Sequence, residues 1–320
     1  MVEPAVSILV PAYNVERHIG ATLDSALTQT YPRVEVVVVD DGSTDGTPDR
    51  LAAVDAPNVR VVRQPNAGAA AARNKALAES SGQAVLFLDG DDLVGPDHVE
   101  RLVDRLPGSG SHVAMGEWDR FTGDPTAAEF PHRPTYRDAG GVDWLVQDWT
   151  GARPMTQSGT FLIPRPLLDR VGGWDESLSL IDDFEFFARV LSRSDGVRFA
   201  PGARLYYRSG LGASLSGRKS RAARESQAQS LLLGTQHLLD AEDSARTRRA
   251  AAHMLQDFVY DIYPDHLDLR LTVGQRVAEL GGSDLPPDGP PGFHRLRRLV
   301  GWRLARRVER LAVGRRSVGA

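Results

Sequence analysis

Short apolar runs alternate with helix-like segments throughout the first hundred residues. The runs are 6–10, 34–39, 59–62 and 84–88, and three of the four are near-continuously hydrophobic, as buried parallel strands are. The intervening segments 15–27, 47–54 and 67–78 have compositions that favour helices. This alternating order predicts an open, doubly wound sheet whose ligand lies at the carboxyl ends of the strands.

Polar and glycine-rich residues follow each of these predicted strands, at 11–14, 40–46, 64–68 and 89–92. Tyr13 suits stacking on a planar base, and Asp41 suits accepting hydrogen bonds from base N–H groups. Residues 40–46 also fit a turn and helix cap, in which Ser43 or Asp45 binds free backbone amides. The two interpretations are compatible.

Three aspartates, Asp89, Asp91 and Asp92, come directly after the fourth predicted strand. Residues two apart in an extended segment project to the same side, so Asp89 and Asp91 can face one ligand, while Asp92 points elsewhere or opens the next helix. Such oxygen ligands suit Mg²⁺ or Mn²⁺, which also takes water and substrate phosphates. The alternative is an Asp-rich turn that caps a helix.

The predicted helix at 67–78 begins with small side chains, which let a ligand approach its amino terminus. The free N–H groups at that end favour an anion, and Arg73 would lie near it. An arginine on an alanine-rich helix can equally be a solvated surface charge.

Four motifs occur in order along this part of the chain: SILVPAYN at 7–14, VDDGSTD at 39–45, NAG and ARN within 66–74, and FLDGDD at 87–92. Together they resemble the motif series of family 2 glycosyltransferases with the GT-A fold, over roughly residues 5–215. The resemblance implies a Rossmann-like, mostly parallel sheet flanked by helices. It also implies a nucleotide-diphosphate sugar donor, Mg²⁺ or Mn²⁺, and inversion at the anomeric carbon.

The same resemblance implies roles for individual residues. A first group would bind the nucleoside, commonly uridine, and the rest of the donor: Pro11, Ala12, Tyr13, Asn14, Asp41, Asn66, Arg73, Asp89 and Gly90. Arg73 would lie near the base or the phosphates. Asp91, with Asp89, would hold the metal that bridges the diphosphate.

A second acidic segment lies further along, where GGWDESL at 172–178 precedes two adjacent aspartates. It is similar to the family's Gly-Gly-Phe-Asp-Glu loop and Glu-Asp helix start, with Asp182 in the glutamate position and Asp183 matching the catalytic base. Inversion by direct displacement requires such a carboxylate to take the acceptor's proton. Alternatively, the pair only satisfies a helix dipole. Trp174 and Asp175 are candidate donor-sugar or acceptor contacts, although Trp174 also suits a core position.

Two features depart from the resembled pattern. Many relatives carry a metal-binding histidine after Tyr-Arg near the end of the catalytic domain, whereas residues 206–216 contain none. Weaker metal affinity is therefore expected, with Arg208 or a serine as a candidate to steady the diphosphate. The chain also lacks the Gln-x-x-Arg-Trp segment of processive polysaccharide synthases, which favours single-sugar transfer.

The segment 121–153 lies where relatives build loops that face the acceptor. Trp144, Asp148 and Trp149 are candidate acceptor contacts, or they pack a small amphipathic helix, Gly141–Asp148. The histidines show no spacing typical of metal ligands, so we expect them to be structural or surface residues.

Composition excludes several classes of protein. The 320 residues carry a net charge of −4 and no cysteine, which rules out disulfides and thiolate chemistry and argues against a nucleic-acid binder. No run of 18 apolar residues occurs, and residues 1–7 do not resemble an export signal. We therefore expect a cytoplasmic protein, either free or peripheral at the inner face of the cell membrane.

The last third of the chain has helical composition. Helices are predicted at 221–241, 245–263 and 267–280, packing on the catalytic domain or on another subunit, and a proline-stiffened linker follows at 284–292. From 293 an apolar stripe recurs every three or four residues between arginines. This basic amphipathic helix can contact an anionic membrane through 293–313, or dock on an acidic face of its own protein.

The sequence thus predicts a catalytic domain at 1–217, with a nucleotide-sugar half at about 1–95 and an acceptor half at about 96–217. A helical extension at 218–283, the linker and a basic helix with its tail at 293–320 complete the chain. The predicted activity is metal-dependent, inverting, non-processive transfer of one sugar from a UDP-sugar to a hydroxyl of a glycan, lipid-linked or small-molecule acceptor, in cell-surface polysaccharide or glycoconjugate synthesis.

Two other functions stay open on the sequence alone, and so does self-association of the chain. A sugar-1-phosphate nucleotidyltransferase should carry a glycine-rich, Arg- and Lys-bearing loop after its first strand, and residues 11–14 do not match one. A catalytically silent nucleotide-sugar binder is disfavoured because the acidic residues Asp89, Asp91 and Asp183 are retained.

Overall fold

The computed structural model describes residues 5–108, 110–152, 154, 156–210 and 220–316, with side chains as far as 311. The strands are β1 (Val6–Ala12), β2 (Val34–Asp40), β3 (Val59–Arg63), β4 (Ala84–Phe87), β5 (Leu93–Val94), β6 (His112–Phe121), β7 (Phe161–Pro164) and β8 (Gly196–Arg208). The helices are α1 (Ile19–Leu27), α2 (Thr47–Ala52), α3 (Ala69–Ala78), α4 (His98–Asp104), α5 (Gly141–Asp148), α6 (Arg165–Val171), α7 (Asp182–Ser192), α8 (Arg221–Ala241), α9 (Ala245–Ile262), α10 (Leu267–Glu279), α11 (Pro291–Val300) and α12 (Trp302–Arg316).

The strands form one sheet in the order β3-β2-β1-β4-β7-β6-β8-β5. The first four run parallel, β7 is antiparallel to both β4 and β6, and β8 is parallel to β6. The strand order reverses at β1, which has β2 on one side and β4 on the other. Such a switch point opens a crevice at the carboxyl ends of the two flanking strands, where ligands of α/β sheets bind.

The sheet separates two apolar cores. Alternate residues of each strand face opposite sides, so Leu9 and Val37 join one cluster while Ile8 and Val36 join the other. Both faces are therefore covered, which explains why β1 and β2 read as continuous apolar runs. The predicted class, a mostly parallel sheet flanked by helices with a helical carboxyl-terminal part, is confirmed.

The predicted helix at 15–27 is shorter than expected at its start. The carbonyl of Val15 accepts bonds from the amides of His18 and Ile19, so a tight turn precedes α1. In contrast, α8, α9 and α10 begin where they are predicted to begin and end within one residue of the prediction.

Helices α8 and α9 share a core with the sheet instead of forming a separate unit. Leu231 of α8 and Phe258 of α9 belong to the same buried cluster as Phe87 of β4. Gly234 of α8 lies so close to α7 that a Cβ atom there would be 2.6 Å from Cε1 of Phe184. The expectation that the extension packs on the catalytic domain is met, while the exact domain boundaries stay predictions.

The predicted single basic helix from 293 is wrong, because the structure breaks it into α11 and α12 at Gly301. Gly301 has φ of 78°, a left-handed conformation that ends a helix and that glycine adopts without strain. Trp302 packs edge-on against Tyr260 and Tyr263 with ring centroids 4.8 and 5.0 Å apart. One side of α12 is therefore docked on α9 and the residue that follows it.

Some predicted features lie outside the described residues. They are residues 211–216 of the segment that lacks a histidine, the boundary at 217–218, and the tail from 317. Within the part of the chain that is described, no helix combines the length and apolarity that a membrane crossing requires.

Two helical glycines test the docking of α8. Replacing Gly234 with alanine drives a methyl group into Phe184, so we expect the free energy of unfolding to fall by about 1–3 kcal/mol. At Gly274 of α10 an added methyl group would have no neighbouring atom within 4 Å, so Gly274→Ala should raise that free energy by about 0.5–1 kcal/mol. Urea unfolding of both variants measures the difference, and equal stabilisation by both would contradict the docking of α8 on α7.

Candidate active site

The carboxyl ends of β1, β2 and β3 are aligned at one edge of the sheet. Ala12 pairs with Asp40, which in turn pairs with Arg63. Tyr13 follows β1 directly and is 46% exposed, unlike the buried strand before it. The structure thus presents an aromatic ring at the crevice where the sequence predicts a base to stack.

The loops that follow β1 and β2 are tied together by Asn14. This residue has a left-handed backbone with φ of 53°, which asparagine tolerates better than most residues. Its amide donates to Ser43 Oγ at 3.0 Å, and its Oδ1 accepts from the amide of Thr44 at 2.8 Å. Asp45 Oδ1 accepts from the amide of Thr47, the first residue of α2, as the predicted turn requires, although the N-cap residue itself is Gly46 and makes no side-chain cap bond.

Asp41 is buried and shapes the turn that leads into α3. Its Oδ1 accepts from the side chain of Gln64 and from the amide of Ala67, and its Oδ2 accepts from the amide of Gly68 at 2.9 Å. Asn66 donates to the carbonyl of Asp41. A carboxylate oxygen can accept two bonds, so Oδ2 keeps acceptor capacity for a base N–H while the loop is held.

The acidic turn after β4 packs against the end of β1. The amide of Asp92 donates to the carbonyl of Asp89 at 3.0 Å, which closes the turn. A Cβ atom on Gly90 would lie 2.9 Å from the carbonyl oxygen of Pro11, so only glycine fits there without a shift. Thr22 Oγ1 also donates to the Gly90 carbonyl. The turn is therefore fixed beside the loop that carries Tyr13.

The carboxyl groups of this turn are crowded. Burial and the negative charge of Asp89 raise the pKa of Asp91 to about 6, and burial first of all raises the pKa of Asp92 well above its usual value. The Arg208 amide donates to Asp92 Oδ1, while its Nε donates to the Asp91 carbonyl, both at 2.7 Å. This excess of negative charge favours a cation.

The described residues include no group of three or more Asp, Glu or His side chains arranged to hold a metal. The predicted pair, Asp89 and Asp91, therefore supplies at most two carboxylates, and Asp89 Oδ1 already accepts from Arg73 Nη2. Mg²⁺ commonly binds one or two carboxylates and completes its octahedral shell with water and substrate phosphates. Two carboxylates suit a divalent cation that takes its remaining ligands from water or substrate, and the described residues form no all-protein site.

Arg73 joins the acidic turn to the start of α7. Its Nη2 donates to Asp89 Oδ1 and its Nη1 donates to Asp182 Oδ2, each at 2.8 Å. The guanidinium lies over the ring of Trp174 at 4.3 Å from the centroid and is 6% exposed as a residue. Both Nη atoms therefore already have carboxylate partners, and Arg73 links two acidic segments that the sequence places far apart.

Trp174 lies in the core and not on a pocket wall. It is 3% exposed and stacks on Phe186 with centroids 4.0 Å apart and planes within 7°. This placement favours the core alternative, in which the Trp174 ring packs against the guanidinium of Arg73. Asp175 accepts from both the amide and the hydroxyl of Ser177, so its carboxylate shapes its own turn.

Asp183 occupies the first turn of α7, next to Asp182. Burial, followed by the negative charge of Asp182, raises the pKa of Asp183 to about 7, although the charge of Arg73 opposes the shift. Asp183 Oδ1 accepts from the amide of Phe184 at 2.9 Å. A carboxyl group that exchanges its proton near neutral pH has the property required of a general base.

The residue before this pair is strained and is held by α8. Ile181 has φ of 50°, a conformation that is unusual for a β-branched residue and costs about 1–3 kcal/mol. Ser230 Oγ donates to the Ile181 carbonyl at 2.6 Å, and Ser226 Oγ accepts from the amides of Ser179 and Leu180. Neither serine could be predicted from the sequence, because nothing in a local pattern links α8 to the start of α7.

A buried ionic network fixes the Gly172–Trp174 turn. Arg189 pairs with Glu185 at 2.7 Å and donates to the carbonyls of Val171 and Gly173. Burial disfavours the charged carboxylate, but hydrogen bonds from His237 and Arg189 outweigh it and lower the pKa of Glu185 to about 2. The Glu-x-x-x-Arg spacing of a helical ion pair was the sequence signal for this network.

Asn74 connects α3 to the same turn. Its Oδ1 accepts from the amide of Trp174 at 2.7 Å, and its Nδ2 donates to the Trp174 carbonyl and to Glu176. A Cβ atom on Gly173 would lie 2.4 Å from Asn74 Oδ1, which explains the glycine. Asn74 therefore holds the Gly172–Trp174 turn, while its neighbour Arg73 holds Asp89 and Asp182.

The tryptophans of the 121–153 segment pack inside the protein. Trp144 and Trp149 are each 1% exposed and Asp148 is 4% exposed, so the packing alternative for α5 is confirmed. Among the histidines, His112 contacts Arg198, and His98 is buried with Nε2 2.9 Å from the Gly159 carbonyl oxygen. These placements agree with structural roles.

Comparison of the chain with known proteins agrees with this geometry. The model of the family "Glycosyl transferase family 2" matches residues 7–174, just over half of the chain. The chain is 38% identical over 123 residues to Glycosyltransferase GlyA of Streptococcus pneumoniae, a match that covers 38% of this chain and 18% of that protein. The curated relatives are matched over only part of their length, from 10% of some to 57% of another.

Solved glycosyltransferase structures share the fold. The complex of S. aureus TarS residues 1–349 with UDP-GlcNAc superposes with a TM-score of 0.70 at 21% identity, over 86% of this chain and 81% of that one. Mannosyltransferase PcManGT from Pyrobaculum calidifontis, in complex with GDP-Man and Mn²⁺, gives 0.56 at 21% identity, over 97% and 88%. With its family model and its sheet considered together, the chain belongs to glycosyltransferase family 2 and has the GT-A fold.

Proposed function

We propose that this chain transfers one sugar from a UDP-sugar to a hydroxyl group, with inversion, with the help of a divalent cation and without processivity. The observation that carries the proposal is the pairing of Arg73 with both Asp89 and Asp182. Through it, the acidic turn after β4 and the helix that begins with Asp182 and Asp183 form one cluster. A leaving-group site and a base for the acceptor would therefore be neighbours.

The donor would bind in the crevice between β1 and β4. Tyr13 would stack on the base, and Asp41 would accept its N–H group through Oδ2. Pro11, Ala12, Asn14 and Asn66 would line the nucleoside site. TarS was solved with UDP-GlcNAc and PcManGT with GDP-Man, which supports a nucleotide-sugar donor as a class.

Asp91 and Asp89 would hold Mg²⁺ or Mn²⁺, with Gly90 allowing the close approach of the two chain segments. When bound, the cation supplies charge neutralisation for the departing diphosphate. Burial, followed by the negative charge of Asp89, raises the pKa of Asp91, which supports this role because a bound cation would stabilise the charged carboxylate. Arg208, whose amide donates to Asp92 and whose Nε donates to the Asp91 carbonyl, would steady the diphosphate.

Asp183 would accept the proton of the acceptor hydroxyl. The acceptor oxygen forms a bond to the anomeric carbon as the bond from that carbon to the diphosphate oxygen breaks, and the diphosphate leaves with the electron pair. Attack from the face opposite the leaving group inverts the configuration. A positioned general base contributes roughly 10²–10⁴-fold to such a step. Asp182 and Arg73 would set the position and charge of this base.

Two substitutions separate binding from chemistry. Asp183→Asn removes the base, so kcat should fall by about 10²–10⁴-fold while donor affinity is retained. Asp91→Ala should instead abolish the part of the donor-induced thermal shift that depends on Mn²⁺, because ligand binding raises the apparent Tm by mass action. A panel of nucleotide sugars with and without Mn²⁺, followed by hydrolysis or transfer assays of the best donor, measures both.

Asp169→Asn is the matched control, since Asp169 is an exposed residue of α6 outside the predicted site and should affect neither readout. Retained turnover in Asp183→Asn would remove Asp183 from the role of base. A wild-type chain that binds a nucleotide sugar but never hydrolyses or transfers it, with any acceptor tested, would favour a silent binding protein instead.

The pH profile provides a signed test of the base. Because the carboxylate form is active and the pKa of Asp183 is about 7, kcat/KM should fall about tenfold per unit below that pH and level off above it. Asp182→Asn removes the charge that raises this pKa, so the rising limb should move to lower pH. A limb that does not move in Asp182→Asn would contradict the assignment.

Substitution of Arg73 should change both the free energy of unfolding and the pH profile of kcat/KM. Arg73→Ala leaves Asp89 and Asp182 without their shared partner, which should cost about 2–4 kcal/mol of unfolding free energy, less than for a fully buried pair because Asp89 reaches water. It also removes a positive charge that lowers the pKa of Asp183, so the rising limb should move to higher pH, opposite to Asp182→Asn. Arg73→Lys is the control, since it retains the charge but cannot span both acids.

Urea unfolding and kcat/KM profiles of the two Arg73 variants provide the measurements. A purely structural arginine would change stability alone, so an unmoved limb in Arg73→Ala would contradict the proposed role in positioning the base.

A further inference from the structure

Helices α11 and α12 carry a concentration of exposed aliphatic side chains. Within the described side chains, they supply five of the protein's largest exposed hydrophobic groups: Leu299 at 82%, Val300 at 42%, Leu304 at 49%, Val308 at 46% and Leu311 at 70%. Scattered exposed leucines are normal, but a contiguous set on neighbouring turns indicates an interaction surface. We call these five residues, with the exposed arginines around them, the basic apolar face.

The basic apolar face is opposite the side of α12 that is docked. Trp302 packs on Tyr260, and Ala305 is 1% exposed, so this side holds the helix to the protein. Arg303, Leu304, Arg307, Val308 and Leu311 are exposed and recur with the spacing of a single helical face. The sequence offered docking and membrane contact as alternatives, whereas the structure gives the two sides of one helix separate environments.

The charge of this region is opposite to that of the chain. Residues 293–311 contain seven arginines and one acidic residue, Glu309, while the whole chain has a net charge of −4. Glu309 accepts from Arg306 at 2.7 Å on the less exposed side. The exposed arginines of the face are Arg295, Arg298, Arg303 and Arg307. Aliphatic side chains and arginines are thus mixed on this face, away from Glu309, the one acidic residue of segment 293–311.

We propose that the basic apolar face binds the surface of a lipid bilayer that contains anionic lipids. Aliphatic side chains at this spacing enter the boundary between headgroups and acyl chains, while arginines remain at the phosphates. Each arginine near an anionic surface adds roughly fivefold to the affinity. A second copy of the chain fits less well, because a two-fold interface would bring arginines against arginines.

The proposed membrane contact does not involve the residues predicted for glycosyl transfer. Since α12 is docked on α9, and α9 shares the core of the sheet, the bilayer would hold the whole catalytic domain and not a loose tail.

Co-sedimentation of the full chain with vesicles tests the proposal. We expect binding to phosphatidylcholine vesicles that contain phosphatidylglycerol, at least about tenfold weaker binding to phosphatidylcholine alone, and weakening of the binding by salt. The double variant Leu304→Gln/Val308→Gln keeps every charge and should lose most of the binding, with an unchanged Tm because both residues are exposed. Arg303→Gln/Arg307→Gln should reduce binding to anionic vesicles by an order of magnitude.

Val61→Gln is the matched control, because Val61 on edge strand β3 is 43% exposed, close to the value for Val308. It should bind vesicles as the unmodified chain does. Equal sedimentation of the unmodified chain and the Leu304→Gln/Val308→Gln variant would overturn the proposal, as would equal binding to neutral and anionic vesicles. A dimer in size-exclusion chromatography that this variant abolishes, without any vesicle binding, would assign the face to self-association and also overturn it.

Discussion

The guanidinium of Arg73, held flat on Trp174 between two carboxylates, is the interaction on which the acidic crevice depends. Burying an arginine is costly unless its charge is matched, and here Asp89 and Asp182 each accept from one Nη at 2.8 Å, while the buried Nε has no hydrogen-bond partner among the described residues. Trp174 adds an aromatic face at 4.3 Å. Because these partners come from a strand end, a helix start and a turn, one side chain fixes the relative positions of three segments.

Three acids with strongly shifted pKa values, Glu185, Asp91 and Asp183, differ in their partners. Glu185 is buried but receives hydrogen bonds from Arg189 and His237, so its pKa falls to about 2 and its role is structural. Asp91 and Asp183 are half-buried and lie beside other carboxylates, and burial, followed by those negative charges, raises their pKa values to about 6 and about 7. Acids whose charge is left uncompensated destabilise the fold, and such groups concentrate at functional sites. Binding a cation or taking up a proton would each neutralise the uncompensated charge of such an acid.

Much of this architecture could be predicted from the sequence, because the first half of the sheet is built from local patterns. Apolar runs that end in polar residues define β1 to β4, and parallel strands bring those ends together whatever the loops do. The partners of Arg73 could not be predicted, since Asp182 lies 109 residues away and no periodicity connects them. The order of β5 to β8 also depends on contacts distant in sequence. In the last part of the chain, the apolar spacing continues across Gly301 and predicts one helix. The structure has two helices, because Gly301 ends the first of them.

The helical extension shapes the start of α7, and with it the acidic cluster, as much as the sheet does. Ile181 adopts a left-handed conformation that is unfavourable for a β-branched residue and must be stabilised by neighbouring groups. Because Ile181 immediately precedes α7, its conformation sets the direction in which that helix begins. Ser230 and Ser226, both on α8, satisfy the backbone of that segment, and Gly234 lets α8 approach Phe184 closely enough to do so. The strain at Ile181 is of the order of one or two hydrogen bonds, so the serines can offset it. The direction of the proposed base is therefore determined by a helix that lies beyond the family's matched residues, which end at 174.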